Sequence, residues 1–481
     1  MNILAIDQGT SSTKALVVGE GALVLATAEV PVHPSALPDG GVEQDPEELW
    51  RSVVEAGRQA LAAAGEPVEA VGLANQGETV LAWDRATGNP LSVALSWQDR
   101  RATDVCDRLA DRADWLRTVT GLPLDPYFAA PKMTRIRERL TRDGVVTTSD
   151  AWLVNRLTGA FVTDAATASR TLLLDLDTTS WCPPACEAFG LGSEPLPDIV
   201  PCAGVVGETR AFGPVLPVAG LAVDQQAALF AEACHAPGEA KCTFGTGAFL
   251  LANVGETAHR SERGLAACIA WLLGGRTSYC LDGQVYTAGA AVSWLQEIGL
   301  IRDARDLDGL GGSVSGTAGA AFVPGLAGMA APFWRPNARG AFVGLSLATS
   351  REQLIRAVLE GIAAAVAWLA RAVGDDLGRP LARLRVDGGL TRSTTLMQIQ
   401  ADLLQAPIDV YPSPNATALG VAAFARLGVG DVQGGMGLAR EWKPVATYEP
   451  RISADEAHGR LSRWRAATDA TIELGSESAR A

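Results

Sequence analysis

The sequence predicts an α/β protein made of two duplicated halves with a cleft between them, and three observations carry that prediction. Residues 2–6 and Ala15–Val18 are apolar and rich in β-formers. They flank the polar turn Asp7-Gln8-Gly9-Thr10-Ser11-Ser12-Thr13-Lys14, which reads as two adjacent strands joined by a tight loop. The same grammar returns in the second half of the chain, where Lys241–Phe244 and Ala248–Leu251 flank Gly245-Thr246-Gly247. Between these hairpins, helical and strand-like segments alternate, as they do in α/β chains. Any long α/β chain holds several hairpins, so the repeat alone leaves the duplication open.

The elements follow in order. Asp45 can cap a helix, Pro46 suits its first position, and Glu47 and Glu48 favour its positive end, so a helix is expected from Pro46 to about Ala64, stopped by Gly65. Val68–Leu73 and Val80–Trp83 read as strands on either side of the polar turn Asn75-Gln76-Gly77-Glu78-Thr79. Gly204–Pro217 is rich in Gly and Pro and reads as connecting chain. Val218–Gln226 then passes from an apolar run into a helix through Ala233. A domain boundary is expected near residue 235, giving domains of 1–235 and 236–466. Residues 467–481 are expected to be a frayed polar tail.

Composition narrows the class. With 48% hydrophobic and 20% charged residues, the chain has ample core material and is not a disordered type. A net charge of −14 and the lack of any Lys/Arg block exclude a nucleic-acid binder and disfavour an anionic membrane surface. A nucleotide stays possible, because backbone N–H groups and a metal can hold phosphates inside an acidic protein. The N-terminus shows no signal-peptide pattern, and charges or glycines break the apolar runs well short of a bilayer span. Eight cysteines without a CxxC pair read as free thiols, which makes a cytoplasmic location the expectation.

Several segments carry chemistry. In the Asp7–Lys14 turn, glycine admits close backbone approach and the hydroxyls of Thr10, Ser11 and Ser12 can grip phosphate oxygens. Asp7 can hold Mg²⁺, and Lys14 adds charge. Gly245-Thr246-Gly247 makes the same offer from the other half. Both also read as ordinary turns. Val386-Asp387-Gly388-Gly389 ends an apolar strand and suits either a nucleotide packed on glycine or a tight strand-to-helix turn. Asp224, at a strand-to-helix transition, is either a helix cap or a functional acid. Glu78, Trp97 and Tyr127 supply carboxylate, indole and phenol. Together these suit a polyol, although singly each fits a turn or a core equally well. There is no GxxxxGK[ST], no GxGxxG after a strand, no HExxH and no GxSxG, and the four histidines have no metal-ligand spacing.

Taken together, these blocks resemble the FGGY family of carbohydrate kinases. "ILAIDQGTSSTKALV", "GLANQGETVLAWDRATGNPL", "LSWQDRR", "GLPLDPYFAAPKM", "GLAVDQQAALFAEA", "CTFGTGAFLLANVG", "VYTAGAAVSWL", "APFWRPNARGAFVGL" and "LRVDGGLTRSTTLMQIQADLL" follow one another in family order. The resemblance implies two ribonuclease H-like domains of the actin/hexokinase/Hsp70 type. The first would bind a polyol or sugar and the second ATP with Mg²⁺; a homodimer is a further implication. Asp224 would be the general base, and Asp7 and Asp224 would face the metal. Thr10, Ser11, Ser12, Lys14, Gly245 and Thr246 would grip phosphate, and Gly289, Ser293, Gly389 and Ser393 would line the nucleotide. The acceptor would meet Gly77, Glu78, Trp97, Tyr127, Asp224, Gln225 and Phe249. Lys14 stands where Arg is usual, Ser293 where Gln is, and Ser393 where Asn is. Most consequentially, Gly77 stands where the glycerol-binding members carry Arg. That loss makes a four- or five-carbon alditol or ketose the alternative acceptor to glycerol. A chaperone ATPase is disfavoured by the Glu78, Trp97 and Tyr127 set, and a sugar-sensing regulator by the absence of a basic helix-turn-helix.

Overall fold

The computed structural model of the chain describes residues 1–439 and 442–478. The first hairpin forms as expected, with β1 (Ile3–Gln8) and β2 (Ser12–Val18) antiparallel and Asp7 opposite Lys14, followed by β3 (Val24–Pro31). Helix α1 (Pro46–Ala64) starts where Asp45 accepts the Glu47 N–H and ends at Gly65 in the left-handed conformation. Strands β4 (Ala70–Asn75), β5 (Ala203–Thr209) and β6 (Leu216–Val223) complete a six-stranded sheet of order β5-β6-β4-β1-β2-β3. The Gly/Pro-rich segment expected to be connecting chain therefore supplies an edge strand. It bends by a register shift between Ala203 and Gly207, and an edge tolerates such irregularity. Helix α2 (Asp224–Ala231) leaves β6 directly.

The second half repeats the plan. Strands β7 (Ala240–Phe244), β8 (Ala248–Gly255), β9 (Ala266–Leu273) and β10 (Arg276–Val285) are followed by α3 (Gly289–Glu297) and α4 (Arg351–Leu377). Next come β11 (Leu384–Asp387), α5 (Thr394–Leu404), β12 (Ile408–Val410), α6 (Ala416–Gly428) and β13 (Ala446–Tyr448). The sheet order is β9-β10-β8-β7-β11-β12-β13. In both sheets the hairpin's first strand opens a run of three parallel strands: β1 pairs with β4 and β4 with β6, as β7 pairs with β11 and β11 with β12. The matching order and polarity of these core strands make the halves structural repeats.

Helix α4 is long and apolar enough to cross a membrane, yet it is the buried core helix of the second half. Its N-terminus carries a full capping box between Ser350 and Gln353. A final helix runs from Ala454 to Ser478, through most of the segment expected to fray. Ala467, Thr468 and Thr471 are buried against the body, and residues 479–481 lie outside the described residues.

The halves meet through a pair of equivalent helices. α2 follows the last parallel strand of the first sheet, and α6 follows that of the second. α6 lies across the face of the first sheet and against α2, made almost wholly of small residues (ATALGVAAFARLG). A Cβ at Gly420 would overlap the Ala227 carbonyl oxygen, so only glycine permits this crossing. Gly420→Ala should therefore destabilise the protein by about 2–3 kcal/mol through overpacking, measured as a lower urea midpoint at unchanged slope. Helix propensity alone would give the opposite sign, since Ala outranks Gly by about 1 kcal/mol in a helix.

Candidate active site

The parallel strands of both sheets direct their carboxyl ends toward one cleft, the usual place for a ligand in a parallel sheet. Asp7 lies at the end of β1, Asp224 opens α2 immediately after β6, and Asp387 closes β11. Gly245 and Thr246 follow β7. Gly289 packs on them, because its N–H donates to Gly245 O at 3.0 Å and a Cβ there would sit 2.6 Å from that oxygen. Gly388, at φ +94°, lies with its backbone against Phe244, where a Cβ would come within 2.5 Å of the carbonyl oxygen. Glycine is required at both contacts by close backbone approach.

The cleft floor is crowded with negative charge. Burial pushes the Asp7 carboxyl up to about 7, and the carboxylates of Asp224 and Asp387 push in the same direction against Lys14. Burial also raises Asp224 and Asp387, and raises Glu232 strongly. The opposing charge on these three is Lys241, a fully buried ammonium. Its Nζ donates to Gln225 Oε1 at 2.5 Å and Thr243 Oγ1 at 2.8 Å. Gln225 in turn orients Asp224: its N–H donates to Oδ1 at 2.7 Å and its Nε2 to Oδ2 at 3.4 Å. Asp224 itself remains partly open to the cleft. The residue capping α2 is Val223, so Asp224 is not spent as a cap.

Beside the floor is an aromatic pocket. The Trp97 ring centroid lies 5.9 Å from Tyr127 and 5.8 Å from Phe249, both edge-on, and the Trp97 indole N–H donates to Thr10 Oγ1 at 2.9 Å. Glu78 is buried and held at φ +56°, a backbone state uncommon outside glycine. Its carboxyl is raised by burial, opposed by Arg170 and Lys132. Arg170 Nε donates to Glu78 Oε1 at 2.5 Å, and Nη2 lies 3.3 Å from the Tyr127 hydroxyl. Lys132 Nζ donates to the carbonyls of Pro126, Tyr127 and Phe128 at 2.8, 2.5 and 2.7 Å, fixing the turn that presents the phenol. The chain matches the FGGY family of carbohydrate kinases, N-terminal domain, over residues 2–231 and its C-terminal domain over residues 240–428. It is 42% identical to the glycerol kinase of Alkalilimnicola ehrlichii and 40% identical to that of Myxococcus xanthus, covering 97% of this chain and 97% and 98% of theirs. The chain belongs to the FGGY family of carbohydrate kinases. The fold agrees with a Plasmodium falciparum glycerol kinase solved with ADP, at a TM-score of 0.89, 30% identity and 98% of each chain. It also agrees with a Rhodospirillum rubrum xylulose kinase at 0.86, 25% identity, and 99% and 100% of the two chains. The two-domain ribonuclease H-like architecture is thus the one expected, and the enzyme is an ATP-using kinase with an alcohol acceptor.

Within this FGGY kinase most of the expected residues fall into three groups. Asp7, Thr10, Lys14, Asp224 and Gln225 line the first half's side of the cleft; Gly245, Thr246, Gly289 and Gly389 gather on the second. Glu78, Trp97, Tyr127 and Phe249 share the aromatic pocket, and Gly77 sits beside Val223, whose methyl lies 2.9 Å from where a Cβ would be. Ser11 is exposed, and the Ser12 hydroxyl donates to Glu29 at 2.7 Å. Ser393 is engaged elsewhere: it caps α5 and donates to Asp308 Oδ1 at 2.6 Å. Ser293 is exposed on α3.

Sequence reasoning missed Arg170, Lys132, Lys241 and Asp282 as cleft residues. One signal was available for the lysines: the chain has four among forty basic side chains, and three of them (Lys14, Lys132, Lys241) surround this FGGY cleft. Where arginine is otherwise preferred, a retained lysine marks a place for a compact ammonium. Arg170, a lone cation in "TASRTLLLDL", gave a similar hint.

Because the folded state holds the Asp7 carboxyl up at about 7, its neutral form is favoured on folding. The associated stability is present at low pH and is lost as pH rises toward 7. Asp7→Asn should therefore stabilise the ligand-free enzyme at pH 8 by on the order of 1–2 kcal/mol. That advantage should vanish near pH 4, which thermal unfolding of both proteins across this range will show.

Proposed function

We propose that this kinase transfers the γ-phosphoryl of ATP to a hydroxyl of a small neutral polyol, with glycerol the leading acceptor and Asp224 the general base. The observation that supports it most directly is the placement of Asp224. It lies within electrostatic reach of Asp7 on the phosphate side and of Arg170 on the acceptor side, and it is partly open to the cleft between them. A base must reach the hydroxyl it deprotonates, and it works best with a pKa lifted toward the operating pH. Burial lifts this one, while Gln225 fixes its orientation.

The acceptor lies against Trp97 and Phe249, with Glu78, Tyr127 and Gln225 holding its hydroxyls. Tyr127 and Glu78 are buried, so water is displaced from this end as the polyol enters. On the other side, Thr10, Ser11, Lys14, Gly245 and Thr246 hold the phosphates, and Gly289 and Gly389 give the nucleotide a close backbone surface. Ser12 joins them on leaving Glu29. Asp224 takes the hydroxyl proton as the oxygen attacks the γ-phosphorus in line and ADP leaves.

Asp7 and Asp224 fit a Mg²⁺ ion, since each carboxylate raises the cost of ionising the other and a divalent cation removes that cost. No group of three or more His, Cys, Asp or Glu with metal-holding geometry occurs among the described residues. For a bound Mg²⁺, water and phosphate oxygens would complete the ligand set. When bound, the ion neutralises charge on the transferring phosphoryl.

Gly77 favours a second reading of the acceptor. With no side chain at position 77, the pocket lacks an arginine there that could touch the acceptor, although Arg170 holds Glu78, and a lost charged hydrogen bond is worth roughly ten- to a hundredfold in affinity. A tetritol, pentitol or ketose would find room that Arg otherwise fills. The deciding measurement is Mg-dependent ATP-to-ADP turnover across glycerol, tetritols, pentitols and ketoses. Asp224→Asn should lower kcat with the best acceptor by about 10² or more, at little change in ATP affinity. Near-normal turnover in that variant would remove Asp224 from the role. A longer polyol or ketose outpacing glycerol would transfer the assignment to that acceptor.

A further inference from the structure

Resting on the polyol-kinase reading above, we infer that Arg170 is the positioning residue of the acceptor pocket, clamping Glu78 and Tyr127 of the first half onto Asp282 of the second. The geometry is a three-way fork. Nε donates to Glu78 Oε1 at 2.5 Å, Nη1 lies 2.6 Å from Asp282 Oδ2, and Nη2 donates to the Tyr127 hydroxyl at 3.3 Å. Nη1 also donates to Cys268 Sγ at 3.4 Å, and the guanidinium carbon stands 5.6 Å from the Tyr127 ring centroid and 5.4 Å from that of Phe128. Arg170 is 3% exposed and its two carboxylate partners 4% each, so these pairs are shielded from water and their geometry matters.

The neighbouring cations have other partners. Arg100 pairs with Asp125 at 3.1 Å and lies over the Tyr286 ring, while Lys132 is bound to three backbone carbonyls. Glu78 thus takes its direct ion pair from Arg170, and its φ of +56° needs such a hold to persist. Asp282 sits on β10, next to the edge strand β9 of the second sheet. It also accepts from Gln284 Nε2 at 2.5 Å, while its Oδ1 has no partner, so Arg170 is its charge balance. The Ser169 hydroxyl accepts the Ile269 N–H at 3.0 Å, which anchors the Arg170 backbone to the same sheet. An ammonium cannot replace this fork, because it offers a point charge where two carboxylates and a phenol are spaced for a planar guanidinium.

Arg170 acts through Glu78 and Tyr127, so its loss should weaken acceptor binding in particular. The test measures kcat and KM for glycerol, erythritol, D-xylulose and MgATP in the wild type, Arg170→Lys, Asp282→Asn and the double variant. Arg170→Lys should raise KM for the wild type's best acceptor about tenfold or more, with KM for MgATP within about twofold. Asp282→Asn, one link further back, should raise the acceptor KM at least about threefold, and should add little in the Arg170→Lys background because the two share one linkage. A merely structural role would lower thermal stability and the active fraction while leaving both KM values in place. That result overturns the inference, as does an equal rise in both KM values. If Arg170→Lys does not fold, an unchanged acceptor KM in Asp282→Asn overturns it alone. A wild type inactive on all three acceptors would instead overturn the polyol reading, whereas an active wild type with unmoved variants would overturn only the role of Arg170.

Discussion

The buried ammonium of Lys241 is the contact on which the cleft depends. It faces Asp224, Asp387 and Glu232, and the carboxylates of the floor otherwise repel one another in surroundings that penalise any charge. One lysine cannot neutralise them all. Protonation absorbs part of the excess, as the position of Asp7 near 7 shows. A cleft in this state is primed for cation and for cationic surroundings, so the same imbalance that costs the ligand-free fold stability favours metal-bound phosphate. Lys241 also reaches Gln225, and through it the carboxylate of Asp224. Charge balance and the orientation of Asp224 therefore share one side chain.

The duplicated scaffold explains why these groups meet. Each half ends its parallel strands at the cleft, and each sends a helix from the last of them across the other half. The α2–α6 crossing brings backbones together at Gly420 and Ala227, which leaves no side-chain layer to deform. Relative movement of the halves must pivot about such a contact rather than compress it. Asp224 opens α2 one turn before Ala227, so it sits next to this contact.

Much of the scaffold was legible in the sequence because its signals are local. Asp45, Pro46 and Gly65 bound α1 by capping and backbone conformation alone, and the strand–turn–strand grammar located both hairpins. The misread segments follow from the same dependence. Gly204–Pro217 looks like a loop because an edge strand with a register shift needs no regular pattern. The terminal helix looks like a tail because its burial comes from Ala and Thr, which carry little hydrophobic signal. At the site, Asp7, Asp224 and Gly245 stand at strand ends and could be found by position. Arg170 could be marked only as a lone cation in an apolar run, because its partners Glu78 and Asp282 are remote in sequence and only the meeting of the two halves brings them to it.

That remoteness bears on Gly77. Read along the chain, replacing an arginine beside Glu78 subtracts a charge from the acceptor pocket. Read in space, Glu78 already has a guanidinium, contributed from behind the pocket and shared with Asp282. The charge that steadies Glu78 is thus separable from the charge that would touch the acceptor. On the acceptor reading proposed above, glycine at position 77 forgoes a contact with the acceptor while leaving the carboxylate in place. Its space is partly taken by the Val223 methyl, which sits 2.9 Å from a Cβ at position 77. An arginine there would have to move Val223, the residue that precedes Asp224 and caps α2. An arginine at position 77 would therefore reach Asp224 as well as the pocket, so on the reading proposed above acceptor choice and the alignment of Asp224 are coupled through one pair of adjacent residues.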